Sequence, residues 1–356
     1  MSIQVSANTT SSARTQSQFL QIRICAQSYT VKHNMTTTKR PRTLDSFFAP
    51  PPTKRSRITD ADETNVTSVS KSTHPTYPFS VPHLPPSILE TLNFAPAEEA
   101  TVINDKPDLD LLYFKPYIPK EISRDLFEFF RSELFFYRVK YTIKRGPTET
   151  LINTPRYTTV FGVDETSRFS EQGEVIEATS DKPVAKNAYA CQPRPLPECL
   201  DVLRKLTENA TGCTFNFALV NYYASGDDSI SYHSDDERFL GALPAIASFT
   251  LGVQRDFLLK HKPTEQKDES ETKPMKFPLG SGDMILMKGK TQSCWLHSIP
   301  KRRGGEVGKG RINITFRKAM VKGGTENYYR YNVGDGGVFK WDDVKRDMIP
   351  WGVDQK

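Results

Sequence analysis

His233 and Asp235 stand two positions apart in the run Tyr-His-Ser-Asp-Asp-Glu (232–237), and His297 follows 62 positions after Asp235 in Cys-Trp-Leu-His-Ser-Ile-Pro (294–300). In extended geometry, side chains two apart leave the same face of a strand. Two imidazoles and one carboxylate converging from two strands can occupy one face of an octahedral ion. Three positions then remain open for a cosubstrate and oxygen, the facial arrangement of non-haem Fe(II) centres. Taken alone, His-x-Asp is a weak signal, because a strand histidine is more often packed or solvent-facing than a ligand. His261, between Lys260 and Lys262 at the end of another apolar run, is read as such an ordinary residue.

A second run adds weight. In Arg-Ile-Asn-Ile-Thr-Phe-Arg (311–317), Arg311, Asn313, Thr315 and Arg317 project from one face of a strand and Ile312, Ile314 and Phe316 from the other. Two arginines are costly to bury unless they meet anions. A dicarboxylate such as 2-oxoglutarate supplies two, and guanidinium forks match carboxylates. The alternative is an antiparallel strand with its polar face in water. Asn221 and Tyr223, again two apart, precede His233 on a further apolar run.

These residues need strands to carry them. Phe215–Tyr223, Ala245–Gly252, Arg255–His261, Asp283–Gly289 and Arg311–Lys318 are short, apolar or alternating, and separated by Gly, Asp and Pro turns. Ahead of them, Ile122, Leu126, Phe129, Phe130 and Leu134 lie on one face of a predicted helix over 121–136, and a second helix is expected after Pro197, with Leu203 and Leu206 inward. Helices followed by a run of strands predict an α+β fold, mainly β, with N-terminal buttressing helices. Residues 166–186 and 262–276 are polar and are expected to be surface loops.

Composition divides the 356-residue chain. Ten of the 25 prolines fall between Pro41 and Pro96, and residues 1–105 are expected to form a disordered basic arm, too poor in apolar surface to offset its chain entropy. The folded domain is assigned to 106–320, and the aromatic-rich 321–356 is read as an extension packed on it. Of the net charge of +6, nine basic residues against Asp45 put +8 before residue 60, which leaves the rest of the chain nearly neutral. A mean hydropathy of −0.53 and no apolar run near twenty residues predict no membrane span. Five cysteines without a Cys-x-x-Cys pair fit neither a disulfide framework nor a zinc ribbon, and a reducing intracellular setting is expected.

The ordered set Asn-x-Tyr (221–223), His-x-Asp-Asp-Glu (233–237), His297 and Arg-x-Asn-x-Thr-x-Arg (311–317), with Pro-Arg-Tyr-Thr-Thr-Val-Phe-Gly (155–162) before it, resembles the AlkB family of Fe(II)/2-oxoglutarate-dependent dioxygenases, most of all its eukaryotic nuclear DNA-repair members. The resemblance spans roughly residues 154–319. It implies a double-stranded β-helix (jelly roll), with His233, Asp235 and His297 holding Fe(II). It implies that Asn221, Tyr223, Arg311, Asn313, Thr315 and Arg317 hold 2-oxoglutarate, and that O2 is the oxidant. Asp236 would meet the amine of the damaged base, Arg156 would contact DNA and Tyr189 would stack on a base. The relatives drive an aromatic wedge into the duplex from a hairpin before the Pro-Arg pair. This chain carries Thr148, Glu149 and Thr150 there, which makes Leu151 or Ile152 the candidate wedge. The activity implied is oxidative demethylation of N-alkylated DNA bases by a monomer. The alternatives are the same chemistry on RNA or protein, and a non-catalytic clamp-binding adaptor.

The arm carries signals of its own. Lys39–Arg42 and Lys54–Arg57 resemble a bipartite nuclear import signal. Between them, Leu44, Phe47 and Phe48 have the spacing of motifs that dock on the replication sliding clamp, although Pro41 stands where those motifs usually carry Gln. An incidental aromatic pair is the alternative. Residues 1–34 contain no acidic residue and resemble a mitochondrial transit peptide, or an extension upstream of a second start at Met35.

Overall fold

A computed structural model describes residues 70–94, 98–185, 187–189, 191–263, 273–303, 309–321 and 337–352. The arm signals, Leu44, Phe47 and Phe48 included, lie outside these residues. The chain opens with a short hairpin, β1 (Lys71–Ser72) and β2 (Val81–Pro82), then α1 (Pro86–Phe94), β3 (Thr101–Ile103) and β4 (Leu111–Phe114). Helix α2 (Lys120–Glu133) leads to β5 (Phe136–Tyr137), the hairpin β6 (Lys140–Arg145) and β7 (Thr148–Asn153), and β8 (Tyr157–Gly162). After a small hairpin, β9 (Ser167–Phe169) and β10 (Val175–Glu177), comes α3 (Glu198–Thr211). The strands that carry the site follow: β11 (Phe217–Tyr223), β12 (Ile230–His233), β13 (Ile246–Gly252), β14 (Arg255–His261), β15 (Met275–Leu279) and β16 (Met284–Met287). The short helix α4 (Thr291–Cys294) runs into β17 (Trp295–Ile299), and β18 (Arg311–Arg317), β19 (Val338–Asp342) and β20 (Asp347–Pro350) complete the order.

The fold is mostly β, and its strand pairings are antiparallel. A ten-stranded sheet runs β20-β19-β5-β8-β11-β18-β13-β16-β4-β3, and a four-stranded sheet runs β12-β17-β14-β15. One face of α2 buries Ile122, Leu126, Phe127 and Phe130 on the larger sheet, as its apolar spacing demands. Helix α3 begins after Pro197 and stops at Gly212, whose φ of 68° is the left-handed conformation that ends many helices. Gly252, at φ 86°, closes β13 beside Arg311. A Cβ there would strike the Gly310 carbonyl, so the close approach of β13 and β18 excludes any side chain.

Three boundaries differ from those expected. Among the described residues, folded structure is already present ahead of residue 106: Tyr77, Val81, Leu84, Ile88 and Leu92 are buried in the same core as α2. Those apolar residues are thinly spread among prolines, and only tertiary packing gives them a common face. Helix α2 ends at Glu133 because Leu134 turns to extended backbone, carrying Phe135 and Phe136 into the core. The segment 166–186, expected as a loop, contains β9 and β10, joined through Ser167↔Glu177 and anchored by buried Ile176. At the other end, β19 pairs with β5, and the Arg131 guanidinium lies 3.9 Å from the centre of the buried Trp341 ring. Among the described residues, no helix is long and apolar enough to cross a membrane.

Candidate active site

Strand pairing aligns two polar rows. In the β11–β18 register, Tyr223 lies opposite Arg311, Asn221 opposite Asn313, and Leu219 opposite Thr315. Directly opposed residues of an antiparallel pair share a face, and these six line one cavity of about 210 Å³. The row on β18 therefore faces inward, not towards water. The smaller sheet supplies the metal-ligand candidates to the same cavity: His233 on β12 lies opposite His297 on β17.

His233, Asp235 and His297 have ligand atoms that all lie within 4.8 Å of one another. His233 Nε2 is 3.8 Å from Asp235 Oδ1, and His297 Nε2 is 3.6 Å from Asp235 Oδ2. His233 Nδ1 is 2.8 Å from the Ser231 carbonyl, so it carries the proton and leaves the Nε2 lone pair for an ion. Burial pushes the His297 imidazole down to about 3, which keeps it neutral and able to ligate at pH 7. Burial alone would raise the Asp235 carboxyl. The adjacent Arg317 guanidinium, through its charge and its hydrogen bond, holds it below the ordinary carboxylate range instead. Two imidazoles and one carboxylate form a donor set that fits a divalent iron with open positions.

The cosubstrate candidates separate into different roles. Arg317 donates through Nη2 to Asp235 Oδ2 at 2.9 Å and orients that candidate ligand carboxylate. Arg311 is 1 % exposed; its Nη2 donates to Thr250 Oγ1 at 2.8 Å, while Nε and Nη1 meet no acceptor. Burial, followed by repulsion from Arg255, brings this guanidinium down to about 10, so it remains a cation at neutral pH. A buried cation with two unmet donors lining the metal cavity fits one carboxylate of 2-oxoglutarate. Asn313 Nδ2 and Thr315 Oγ1 line the cavity but donate to protein oxygens, Ser248 Oγ and the carbonyls of Phe249 and Leu219. Asn221 Oδ1 accepts from Thr158 and from Arg156 Nε at 3.1 Å.

Arg156, expected at DNA, therefore reaches into the cavity, where it is half-buried on Asn221. Asp236 is exposed and pairs with Lys262 Nζ at 2.8 Å. Tyr189 is not brought to the cavity. It is buried, and its hydroxyl donates to Asp164 Oδ2 at 2.7 Å. Its ring is therefore held by Asp164 and Ser167 and does not line the cavity. Tyr189→Phe is accordingly expected to cost about 1–2 kcal/mol of stability in urea denaturation, while turnover stays as in the wild type.

Two positioning residues were missed. Gln292, 1 % exposed, accepts the Asp235 backbone N–H on Oε1 at 3.0 Å and fixes the turn that carries the carboxylate. Arg255 donates to the carbonyls of Ser225, Asp228 and Pro300, tying down the loop between β11 and β12. Each sits among other polar residues, and neither has a spacing that would single it out.

The family model of the 2OG-Fe(II) oxygenase superfamily matches residues 110–317. The chain is 38 % identical over 130 residues to the DNA oxidative demethylase ALKBH2 of Homo sapiens, a stretch covering 36 % of this chain and 49 % of that protein. It is 37 % identical over 139 residues to the alpha-ketoglutarate-dependent dioxygenase alkB homolog 3 of Rattus norvegicus, covering 38 % of this chain and 46 % of that one. With the DNA oxidative demethylase ALKBH2 of Arabidopsis thaliana it shares 37 % identity over 142 residues, covering 35 % and 44 %. The chain thus spans about half the length of the curated relatives it matches. The match over 110–317, enclosing the His-Asp-His cluster and the arginine row, identifies the chain as a member of the AlkB family within the 2OG-Fe(II) oxygenase superfamily.

Proposed function

We propose that the protein is an oxidative demethylase of N-alkylated bases in DNA, of the 1-methyladenine and 3-methylcytosine type. The observation that carries this reading is one cavity holding both a His233/Asp235/His297 donor set and the unmet guanidinium edge of Arg311. Relatives named for DNA oxidative demethylation support the substrate class. Its two antiparallel sheets, with helices on the larger one, fit a double-stranded β-helix. When bound, iron and 2-oxoglutarate supply the oxidation by O2, releasing succinate and CO2 as the methyl carbon leaves as formaldehyde. The protein's own residues orient these groups: Arg317 and Gln292 fix Asp235, and Arg311 binds a carboxylate. Asp235 and His297 are buried and His233 is half-buried, so the damaged base must leave the stack to reach the cavity, and methyl groups that block pairing lower the cost of extrusion.

On this reading, formaldehyde release from methylated single- and double-stranded DNA exceeds that from RNA carrying the same lesion. No turnover on either DNA or RNA would overturn it. The wedge belongs to the hairpin β6–β7, where Leu151 is 61 % exposed. Leu151→Asp is expected to lower activity on duplex DNA by at least ~10-fold relative to single strands, because unstacking one step costs on the order of a few kcal/mol. Equal losses on both substrates would remove Leu151 from that role. The basic clusters support a nuclear location, and Leu44, Phe47 and Phe48 a clamp-docking peptide. Phe47→Ala with Phe48→Ala then weakens clamp binding by calorimetry and leaves oligonucleotide turnover intact.

A further inference from the structure

Asp108, His261 and Cys294 bring three unlike ligand atoms, an oxygen, a nitrogen and a sulfur, within 4.8 Å of one another. The cluster lies outside the iron cavity, and nothing in the oxidative chemistry uses it. We infer that it is a second metal site, selective for a borderline-soft divalent ion such as Zn2+, which ties the loop entering β4 to the smaller sheet.

The histidine points to an ion most directly. His261 Nδ1 is 2.7 Å from the Lys262 carbonyl, so that nitrogen carries the proton and Nε2 presents its lone pair. Nε2 is shut off from solvent and has no hydrogen-bond partner; Asp108 Oδ2, at 3.8 Å, is too far for one. A buried acceptor without a donor calls for an explanation, and a metal ion between the two atoms provides it. A backbone carbonyl on one ring nitrogen and a metal on the other is the usual arrangement around histidine ligands.

The three carriers are already held in place. The Trp295 indole donates to the Pro107 carbonyl at 3.0 Å, one residue before Asp108. The Asp110 N–H donates to Thr291 Oγ1 at 2.9 Å, two residues after it. Asp108 itself takes a φ of 58°, which aspartate tolerates better than most residues. Across the sheet, His261 lies opposite Trp295, next to Cys294, and the Lys262 N–H donates to the Cys294 carbonyl at 2.8 Å. The loop, β14 and the start of β17 therefore already converge. Lys290, 3.2 Å from Asp108 Oδ1, is the present counter-charge; its side chain is 65 % exposed and can swing into water.

Donor chemistry selects the ion. Mixed Cys, His and carboxylate ligation suits Zn2+, whereas the all-N/O set at His233, Asp235 and His297 suits Fe(II). Binding replaces the Cys294 thiol proton by the metal–sulfur bond and releases that proton. Three protein ligands leave a fourth tetrahedral position for water.

Cobalt(II) separates the two sites, because only a thiolate gives sulfur-to-cobalt charge transfer in the near ultraviolet. Anaerobic titration of the full chain is expected to fill two sites, one of them developing that band, and one equivalent of Zn2+ should then bleach it. Cys294→Ser removes the band and one of the two equivalents, while Asp235→Ala keeps the band and loses the other. Asp108→Asn, a change on an exposed loop that the fold tolerates, weakens the band independently of any effect of Cys294 on folding. Absence of the band in the wild type, or a band of equal strength in Cys294→Ser, overturns the site.

Discussion

Asp235→Ala is expected to reduce formaldehyde release to background and to abolish tight divalent-metal binding. Asp235 is the only anionic member of the His233/Asp235/His297 set, and two imidazoles alone hold Fe(II) poorly. The carboxylate is also the partner of Arg317 at 2.9 Å, with both side chains buried. Removing one member of such a pair leaves a charge in low dielectric and typically costs about 3–5 kcal/mol. Here Glu237 Oε2, 3.9 Å from Arg317 Nη1, offers that guanidinium a second anion, so the loss should fall at the lower end. Asp235→Asn separates the effects, since it keeps the shape and removes the charge. It should stay closer to wild-type stability and still fail to bind metal. Manganese(II) binding followed by electron paramagnetic resonance, with urea denaturation of the same samples, measures both quantities. Stoichiometric metal in Asp235→Ala would remove the ligand assignment.

The site was more legible in the sequence than the fold around it, and the reason is geometric. Arg311, Asn313, Thr315 and Arg317 at alternate positions are a pattern that a strand converts directly into a shared face, whereas His233 ends β12 and Asp235 is carried by the irregular backbone just after it. Which polar atom each side chain meets across the cavity is another matter. Thr315 answers to the Leu219 carbonyl and Asn313 to Ser248, partners 96 and 65 positions away. Gln292 and Arg255 were invisible for the same reason, because each acts through backbone groups brought near only by the tertiary fold. For Tyr189 the resemblance implied a stacking aromatic, and the sequence offers no sign that Asp164 and Ser167, 25 and 22 positions away, give its hydroxyl buried partners. The segment from residue 70 to 94 was hidden by proline. Composition measures the apolar content of a segment and not the surface against which Val81, Leu84 and Ile88 pack.

The division of labour between the two arginines yields the other large expected effect. Arg311→Met should weaken 2-oxoglutarate binding by at least ~10–100-fold, because a hydrogen bond from a charged donor contributes roughly 1.5–3 kcal/mol and the fork can make two. The same substitution should make the ligand-free protein more stable. Arg311 is buried with Nε and Nη1 unmet, and only Nη2 has an acceptor, at Thr250. Methionine fills much of the same volume without a charge to desolvate. Replacing a poorly compensated buried ion by an apolar side chain is often neutral or stabilising by ~1–4 kcal/mol. A residue kept for structure cannot give opposite signs in these two measurements; one kept for an anionic ligand should. Arg311→Lys falls between, with charge retained and the two-pronged geometry lost. Arg317→Lys should behave differently again, since its guanidinium orients Asp235, and weaker cosubstrate binding would come with weaker metal binding. Calorimetric titration of 2-oxoglutarate into manganese-loaded protein, paired with urea midpoints of the metal-free form, tests the contrast. Unchanged cosubstrate affinity in Arg311→Met, or a destabilised metal-free protein, would show that the guanidinium serves the fold and not the ligand.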